Sequence, residues 1–290
     1  METRSSIKRI GVVVRPNLPQ AIPVIQEMAD WLQERRIDVL LDGELEQTLR
    51  RVTGVEAGKI AEHVDLLVVL GGDGTMLGAS RLIGPKRIPV LGINFGRLGY
   101  LTDFTLEELY PALEYVLSGE FVTEPRQMIE VTTFRNGEVF SNDQVLNDVV
   151  ITKGTVVRMI EIDCWIDSHF VNVFRADGLI LATPTGSTAY NLSAGGPIVY
   201  PVMNALVLTP ICPHTLSNRP LLLPDTSVVE LALHSTSEEA IATLDGQKRI
   251  QLQSKDRIVI EKSDNIFDLV RPVSRNYYEV LRTKLKWGAQ

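Results

Sequence analysis

The chain has 290 residues, of which 44% are hydrophobic and 22% charged, and its formal net charge is −7. That length suffices for a large core or for two domains. The acidic balance, with no basic run of five or more, argues against nucleic acid and anionic lipid as partners, because both call for Lys/Arg clusters. The two cysteines, Cys164 and Cys212, are too few for a disulfide framework and lie in no zinc motif, so they read as reduced, mostly buried thiols. The opening METRSSIKRI lacks the apolar segment of a signal peptide, and no apolar stretch reaches the roughly 18 residues of a membrane span. The expected location is the cytoplasm.

The first 120 residues alternate strand and helix signals. Ile7 to Pro16 is a short apolar run closed by proline. From Leu18 to Arg36, residues Ile22, Ile25, Met28, Ala29 and Leu32 recur at helical spacing. Strands follow at Ile37 to Asp42 and Asp65 to Leu70, then a helix opening at Thr75, then the strand IPVLGINF. Thr105, with Glu108 three residues on, reads as the N-cap of a helix running through Leu117. Strands without polar alternation, separated by helices, predict a parallel sheet covered on both faces.

The period changes near Phe121. Ile129, Val131 and Thr133 alternate with Glu130 and Thr132, and Asn136–Gly137 marks a hairpin. Val228 to Ser235 and Arg257 to Lys262 also have an apolar period of two. A β-rich domain is therefore expected over about 121–270, with helical interruptions at Thr188 to Leu192 and at Pro201 to Leu208. The last twenty residues read as helical, so 271–290 are expected to rejoin the α/β domain of 1–120.

Two stretches carry chemistry. In LLVVLGGDGTML, a buried strand ends in GGDGT, at the sheet edge where open α/β folds bind ligands. The glycines let backbone N–H groups approach an anion, and the following helix N-terminus favours phosphate. Neither GxxxxGK[ST] nor GxGxxG is present at this turn or after the first strand. Beside phosphates Asp73 has two chemical uses, accepting a proton from an attacking hydroxyl or holding magnesium; a plain Gly-Asp-Gly turn with a surface cap is the bland alternative. The second stretch, ADGLILATPTGSTAYNLSAGGPI from Ala176, feeds a strand into a turn rich in small and hydroxyl residues. Ser187 or Thr188 is expected to cap a short helix that Gly195–Gly196 and Pro197 terminate. Thr188, Asn191 and Ser193 offer hydrogen-bonding groups, and Tyr190 a face for base stacking. Asn147–Asp148, at a strand start, suits ribose hydroxyls or an ordinary Asx turn. Leu244 to Gln247, LDGQ, reads as a simple hairpin turn.

Taken together, GGDGT at 71–75, LNDVV at 146–150, DGLILATPTGSTAYNLSAGGPI at 177–198 and ICPHTLSNRP at 211–220 resemble the NAD kinase family. GGDGT alone is also similar to a motif of diacylglycerol and sphingosine kinases. The resemblance implies an α/β N-terminal domain with a parallel sheet, phosphofructokinase/diacylglycerol-kinase-like, a β-rich NAD-binding C-terminal domain, and a site between them. It implies transfer of the γ-phosphoryl of ATP to the adenosine ribose 2′-hydroxyl of NAD, with a divalent metal, usually magnesium, accompanying the donor. Asp73 is then the general base, with Gly74 beside it. Asn147 and Asp148 bind the substrate nucleoside, and Thr188, Ala189, Tyr190, Asn191, Leu192 and Ser193 form the substrate segment. Arg175 and Asp177 match a basic and an acidic position of bacterial members, Arg158 a basic contact, and Gln247 a late substrate contact. Family members are homo-oligomers, often with substrate residues supplied across a subunit interface, so a homodimer or homotetramer is expected. The competing readings are a lipid kinase and a non-catalytic NAD(P) sensor. The first has no polybasic patch or basic amphipathic helix to bring it to a membrane; the presence of Asp73 argues against the second.

Overall fold

The computed structural model describes residues 7–15, 18–43, 49–96, 98–154, 159–233 and 240–288. The chain divides into two compact units, Met1–Pro125 with Phe267–Gln290, and Arg126–Ile266.

The first unit is α/β. Its strands are β1 (Arg9–Val14), β2 (Asp38–Asp42), β3 (Val52–Val55), β4 (Leu66–Leu70), β5 (Pro89–Asn94) and the two-residue β6 (Phe104–Thr105). They run parallel in the order β3-β2-β1-β4-β5, and residues Asp268 and Leu269 add a parallel strand beside β5. All five residues of β4 are buried, as a central strand covered on both faces requires. Helix α1 (Ala21–Gln33) packs Ala21, Ile25, Met28, Ala29 and Leu32 from one face into the core around Ile10, Val12, Leu66 and Val68. Helices α2 (Ile60–His63), α3 (Asp73–Ser80) and α4 (Leu109–Leu117) complete the crossovers, and α6 (Tyr277–Leu285) lies in this unit. From β1 the chain steps outward through β2 to β3 on one side, then crosses back to β4 on the other side of β1. The strand order therefore reverses between β1 and β4, and the carboxyl ends at such a reversal open a crevice for ligands. GGDGT follows directly from β4.

The second unit is built of antiparallel sheets. Strands β14 (Leu221–Pro224), β13 (Ala205–Ile211), β12 (Gly178–Ala182), β9 (Asp148–Lys153), β16 (Ala240–Leu244) and β17 (Lys248–Leu252) form one sheet in that order. A second layer contains β11 (His169–Ala176), β10 (Ile160–Ile166), β15 (Val229–Leu233) and the first part of β18 (Arg257–Arg271). Strands β7 (Val122–Arg135) and β8 (Glu138–Val145) form a hairpin through Asn136 and Gly137, both at positive φ, the geometry of a two-residue turn. Inward residues of both layers, among them Val149, Ile151, Leu179, Leu181, Ile162 and Leu231, share one core.

Four expectations need correction. The third helix opens at Asp73, not Thr75, with Gly72 as its N-cap. Pro201 to Leu208 is not helical: Ala205–Ile211 is strand β13, seven buried residues between two neighbours, where apolar content without period left the element type open. Helix α5 (Tyr190–Ser193) is capped by neither Ser187 nor Thr188; its N-cap is Ala189. Of the two thiols only Cys164 is buried, its pKa pushed up to about 12 by burial, whereas Cys212 is exposed. Strand β3 carries no turn signal before it and was not foreseen.

Candidate active site

The first cluster of functional side chains lies at the carboxyl ends of β4 and β5. Asp73, the first residue of α3, is half-buried. Its carboxylate is gripped by the loop that follows β5: Tyr100 N–H donates to Oδ2 at 2.8 Å, Leu101 N–H to Oδ1 at 3.0 Å, and Thr102 Oγ1 to Oδ1 at 3.2 Å. Thr102 is itself fixed by Asn94 Nδ2 at 2.7 Å. Among the described residues Oδ2 accepts a single hydrogen bond, which leaves it lone-pair capacity for a proton. Gly99 makes the grip possible, since a Cβ there would stand 1.8 Å from Asp73 Oδ1. The negative charge of Asp73 also acts on Tyr100, whose hydroxyl is raised above its ordinary pKa by burial first and by Asp73 second. None of these loop residues was foreseen; the signal was the pair Gly96 and Gly99 after a buried parallel strand.

The second cluster follows from strand direction. Strand β9 runs antiparallel to both β12 and β16, so its start lies beside both of their ends, with Asp148 opposite Ala182 and Val149 opposite Leu244. Thr183, just beyond β12, donates its N–H to Asn147 O at 2.9 Å and its Oγ1 to Leu146 O at 2.6 Å. Gly186 lies against the same carbonyl, where a Cβ would come within 2.0 Å of Asn147 O. From the other side, Asp245 accepts N–H groups from Asn147 at 2.6 Å, Leu146 at 3.1 Å and Asp148 at 3.3 Å. The main chain at Asn147 is thus held from both flanks, while its buried side-chain Oδ1 has no hydrogen-bond partner among the described residues. A buried acceptor without a partner costs free energy unless a ligand supplies a donor. Asp148 is 4% exposed, and its pKa is raised to about 7, by burial first and by the charge of Asp245 second; the Tyr190 N–H opposes the shift.

Of the segment 188–193, Tyr190 is 45% exposed and Ser193 is exposed, while Thr188, Ala189 and Leu192 are half-buried. Asn191 turns inward. It is fully buried, its Nδ2 donates to Ser187 O and Pro197 O, and its Oδ1 accepts from Thr209 Oγ1 at 2.6 Å. Its side chain therefore shapes the loop. Gly196 makes room for it, because a Cβ there would lie 2.0 Å from Asn191 Oδ1. Gln247 is exposed within the β16–β17 turn. Asp177, just before β12, lies at the opposite end of that strand from Thr183, about 20 Å away by strand rise, and Arg175 precedes it near the end of β11. Arg175 pairs with Glu161 at 3.4 Å and Asp177 with Lys153 at 2.7 Å. One chain does not bring them to the Asn147–Asp148 end of its sheet. Arg158 lies outside the described residues.

Residues 10–121 match the model of the ATP-NAD kinase N-terminal domain, and residues 146–272 that of the ATP-NAD kinase C-terminal domain. The chain belongs to the ATP-NAD kinase family. Curated NAD kinases similar to it include those of Geotalea daltonii, 42% identical with 97% of this chain and 99% of that protein covered, and Geobacter sulfurreducens, 45% identical with the same coverage. Among solved structures, yeast NADH kinase complexed with NADH is similar at a TM-score of 0.91 and 26% identity, covering 99% of this chain and 90% of that one. An NAD kinase from Archaeoglobus fulgidus in complex with ATP is similar at a TM-score of 0.74 and 25% identity, covering 96% and 98%. The family is one of phosphotransferases, and the two-part architecture of α/β and β-rich regions is its fold. Among the described residues no helix is long and apolar enough to cross a membrane.

Proposed function

We propose that the chain transfers the γ-phosphoryl group of ATP to the adenosine ribose 2′-hydroxyl of NAD, giving NADP and ADP. The observation that carries this reading is Asp73, a carboxylate at the first position of α3 in the glycine turn after β4, held by three hydrogen bonds with lone-pair capacity left on Oδ2. In the step, the ribose oxygen forms a bond to the γ-phosphorus, the bond from that phosphorus to the bridging oxygen breaks, ADP leaves, and the hydroxyl proton passes to Asp73. The backbone of Gly72 and the start of α3 offer donors for phosphate oxygens. Asn147 Oδ1, a buried acceptor without a partner among the described residues, suits an amino or hydroxyl donor of the substrate nucleoside. Asp148 lies beside it, and exposed Tyr190 gives a surface for stacking on a base. Thr188, Ala189, Leu192 and Ser193 line that segment, and Gln247 stands at the neighbouring turn.

Among the described residues no cluster of His, Cys, Asp and Glu could cage a metal. No step is routed through a resident ion. Magnesium enters this reading as part of the donor, bound to the ATP phosphates and offsetting their charge. The position of Arg175 and Asp177 at the far end of β12 favours a homo-oligomer in which a second copy supplies them to the site.

The test is NADP formation from purified protein, ATP, magnesium and NAD, read by an NADP-specific dehydrogenase. Asp73→Asn keeps NAD binding in calorimetry and lowers kcat by about 10²- to 10⁴-fold, the contribution of a general base. Turnover close to wild type in that variant removes Asp73 from the role.

A further inference from the structure

We propose that Asp245 is a positioning residue for the Asn147–Asp148 pair, acting from the turn between β16 and β17; this rests on the reading of that pair as the nucleoside contact. The turn itself is ordinary. Asp245 and Gly246 have φ of +51° and +67°, left-handed conformations suited to the three-residue hairpin turn of 245–247. Asparagine fits that geometry equally well and carries no charge. What the turn does not explain is where the carboxylate goes. It is 5% exposed and accepts the backbone N–H groups of three consecutive residues, Leu146, Asn147 and Asp148. The Asp245 N–H returns a bond to Asp148 O at 2.9 Å. Strand β9 begins at Asp148, so the N–H groups of Leu146 and Asn147 precede its ladder. In a buried place each needs an acceptor, and the carboxylate provides it.

The arrangement has an electrostatic cost that a purely structural turn would avoid. A second carboxylate, Asp148, is buried against the same charge, which raises its pKa. What the charge secures is the direction of the Asn147 side chain. With the Asn147 N–H held by Asp245 and its carbonyl held by the Thr183 N–H, the main chain cannot rotate. The Cα–Cβ direction of Asn147 is thereby set, and among the described residues its Oδ1 has no hydrogen-bond partner. Asp245 thus prepays the ordering of an acceptor whose use is binding, not bond making, and its removal should appear in substrate affinity.

The experiment compares full-length wild type with Asp245→Asn and Asp245→Ala. In steady-state NADP formation, KM for NAD rises about tenfold in Asp245→Asn, which keeps one acceptor oxygen, and about a hundredfold in Asp245→Ala, which keeps none. KM for ATP and kcat stay within about threefold of wild type. A role in folding alone predicts the reverse, a lower melting temperature and a smaller active fraction with KM for NAD unmoved, and that result overturns the proposal. If Asp245→Ala does not fold, the isosteric Asp245→Asn decides. The calorimetric Kd for NAD follows the same order and needs no turnover. Wild-type protein that binds NAD but makes no NADP therefore counts against the kinase reading and leaves this one decided by affinity.

Discussion

Replacing Gly99 by alanine tests the geometry of the base with one methyl group. The substitution brings no backbone strain, because Gly99 is not at positive φ. Its whole effect is steric. The new Cβ would stand 1.8 Å from Asp73 Oδ1, 2.5 Å from its Cγ and 2.5 Å from Thr102 Oγ1. Restoring van der Waals distance requires the carboxylate and the loop to part by about 1.5 Å. The bonds from Leu101 N–H at 3.0 Å and Thr102 Oγ1 at 3.2 Å cannot survive that displacement. Asp73 is half-buried, so water replaces part of what is lost, and the stability cost is about 2 kcal/mol. Misplacing a reacting group by about 1 Å costs on the order of 100-fold in rate. The coupled NADP assay should therefore show kcat about 100-fold lower, with KM for NAD and ATP nearly unchanged, and a melting temperature lower by about 3 °C. Gly84→Ala is the control, since a Cβ there meets nothing within 4 Å. A folded Gly99→Ala protein with kcat within about threefold of wild type would refute the argument that this loop sets the base.

Asp148→Asn should change the pH dependence of stability. The Asp148 pKa in the folded chain, about 7, exceeds its ordinary value of 3.8, so the folded protein holds this proton more tightly than the unfolded chain. Its contribution is fully present below about pH 4 and is lost as pH rises through about 7. The amide cannot ionise and escapes the loss. The variant is thus expected to gain on wild type in urea melts from pH 4 to pH 8, by an amount on the order of 4 kcal/mol at the upper end; parallel curves would show that Asp148 does not titrate in this range. Mixing tests the second copy. Asp73→Asn and a double variant Arg175→Ala/Asp177→Ala, each nearly inactive alone, should regain about a quarter of wild-type turnover when co-expressed, because half the dimers are mixed and each mixed dimer has one complete site. No recovery from a co-purified mixed oligomer rules out supply in trans.

Legibility in the sequence followed the range of the interaction. Elements set by local period were read within a few residues: β1, α1, β2, β4 and β5, the Asn136–Gly137 hairpin, and α6. Strand β13 was not, because a fully buried run of four to eight residues has no period to separate strand from helix. Asp73 was legible because glycine and a carboxylate after a buried strand form a local pattern. Its holders were not, since Tyr100, Leu101 and Thr102 lie 27 to 29 residues away. Asn191 was legible as a polar residue in an unusual loop, yet its burial depends on Thr209 and on the space at Gly196. Asp245 was read as a turn residue, which it is; its three acceptances span 97 to 99 residues and depend on β16 lying beside β9.

Sheet direction explains why each cluster draws its support from where it does. In a parallel sheet, consecutive strands deliver their following loops to the same edge. The turn after β4 therefore meets the loop after β5, and a carboxylate in the first finds backbone donors in the second. In an antiparallel sheet a strand's start faces its neighbours' ends. The residues entering β9 are therefore met by those leaving β12 and β16, and Asn147 is held by Thr183 from one and by Asp245 from the other. Both arrangements fix a polar atom through main-chain bonds to segments beyond the ends of strands whose own ladders hold them in register. Such support is stiff, because moving the atom requires moving a strand end. Small substitutions at the abutting glycines, Gly99 and Gly186, should accordingly act more strongly on function than changes of the exposed side chains Tyr190, Ser193 or Gln247, which can adjust without disturbing any strand.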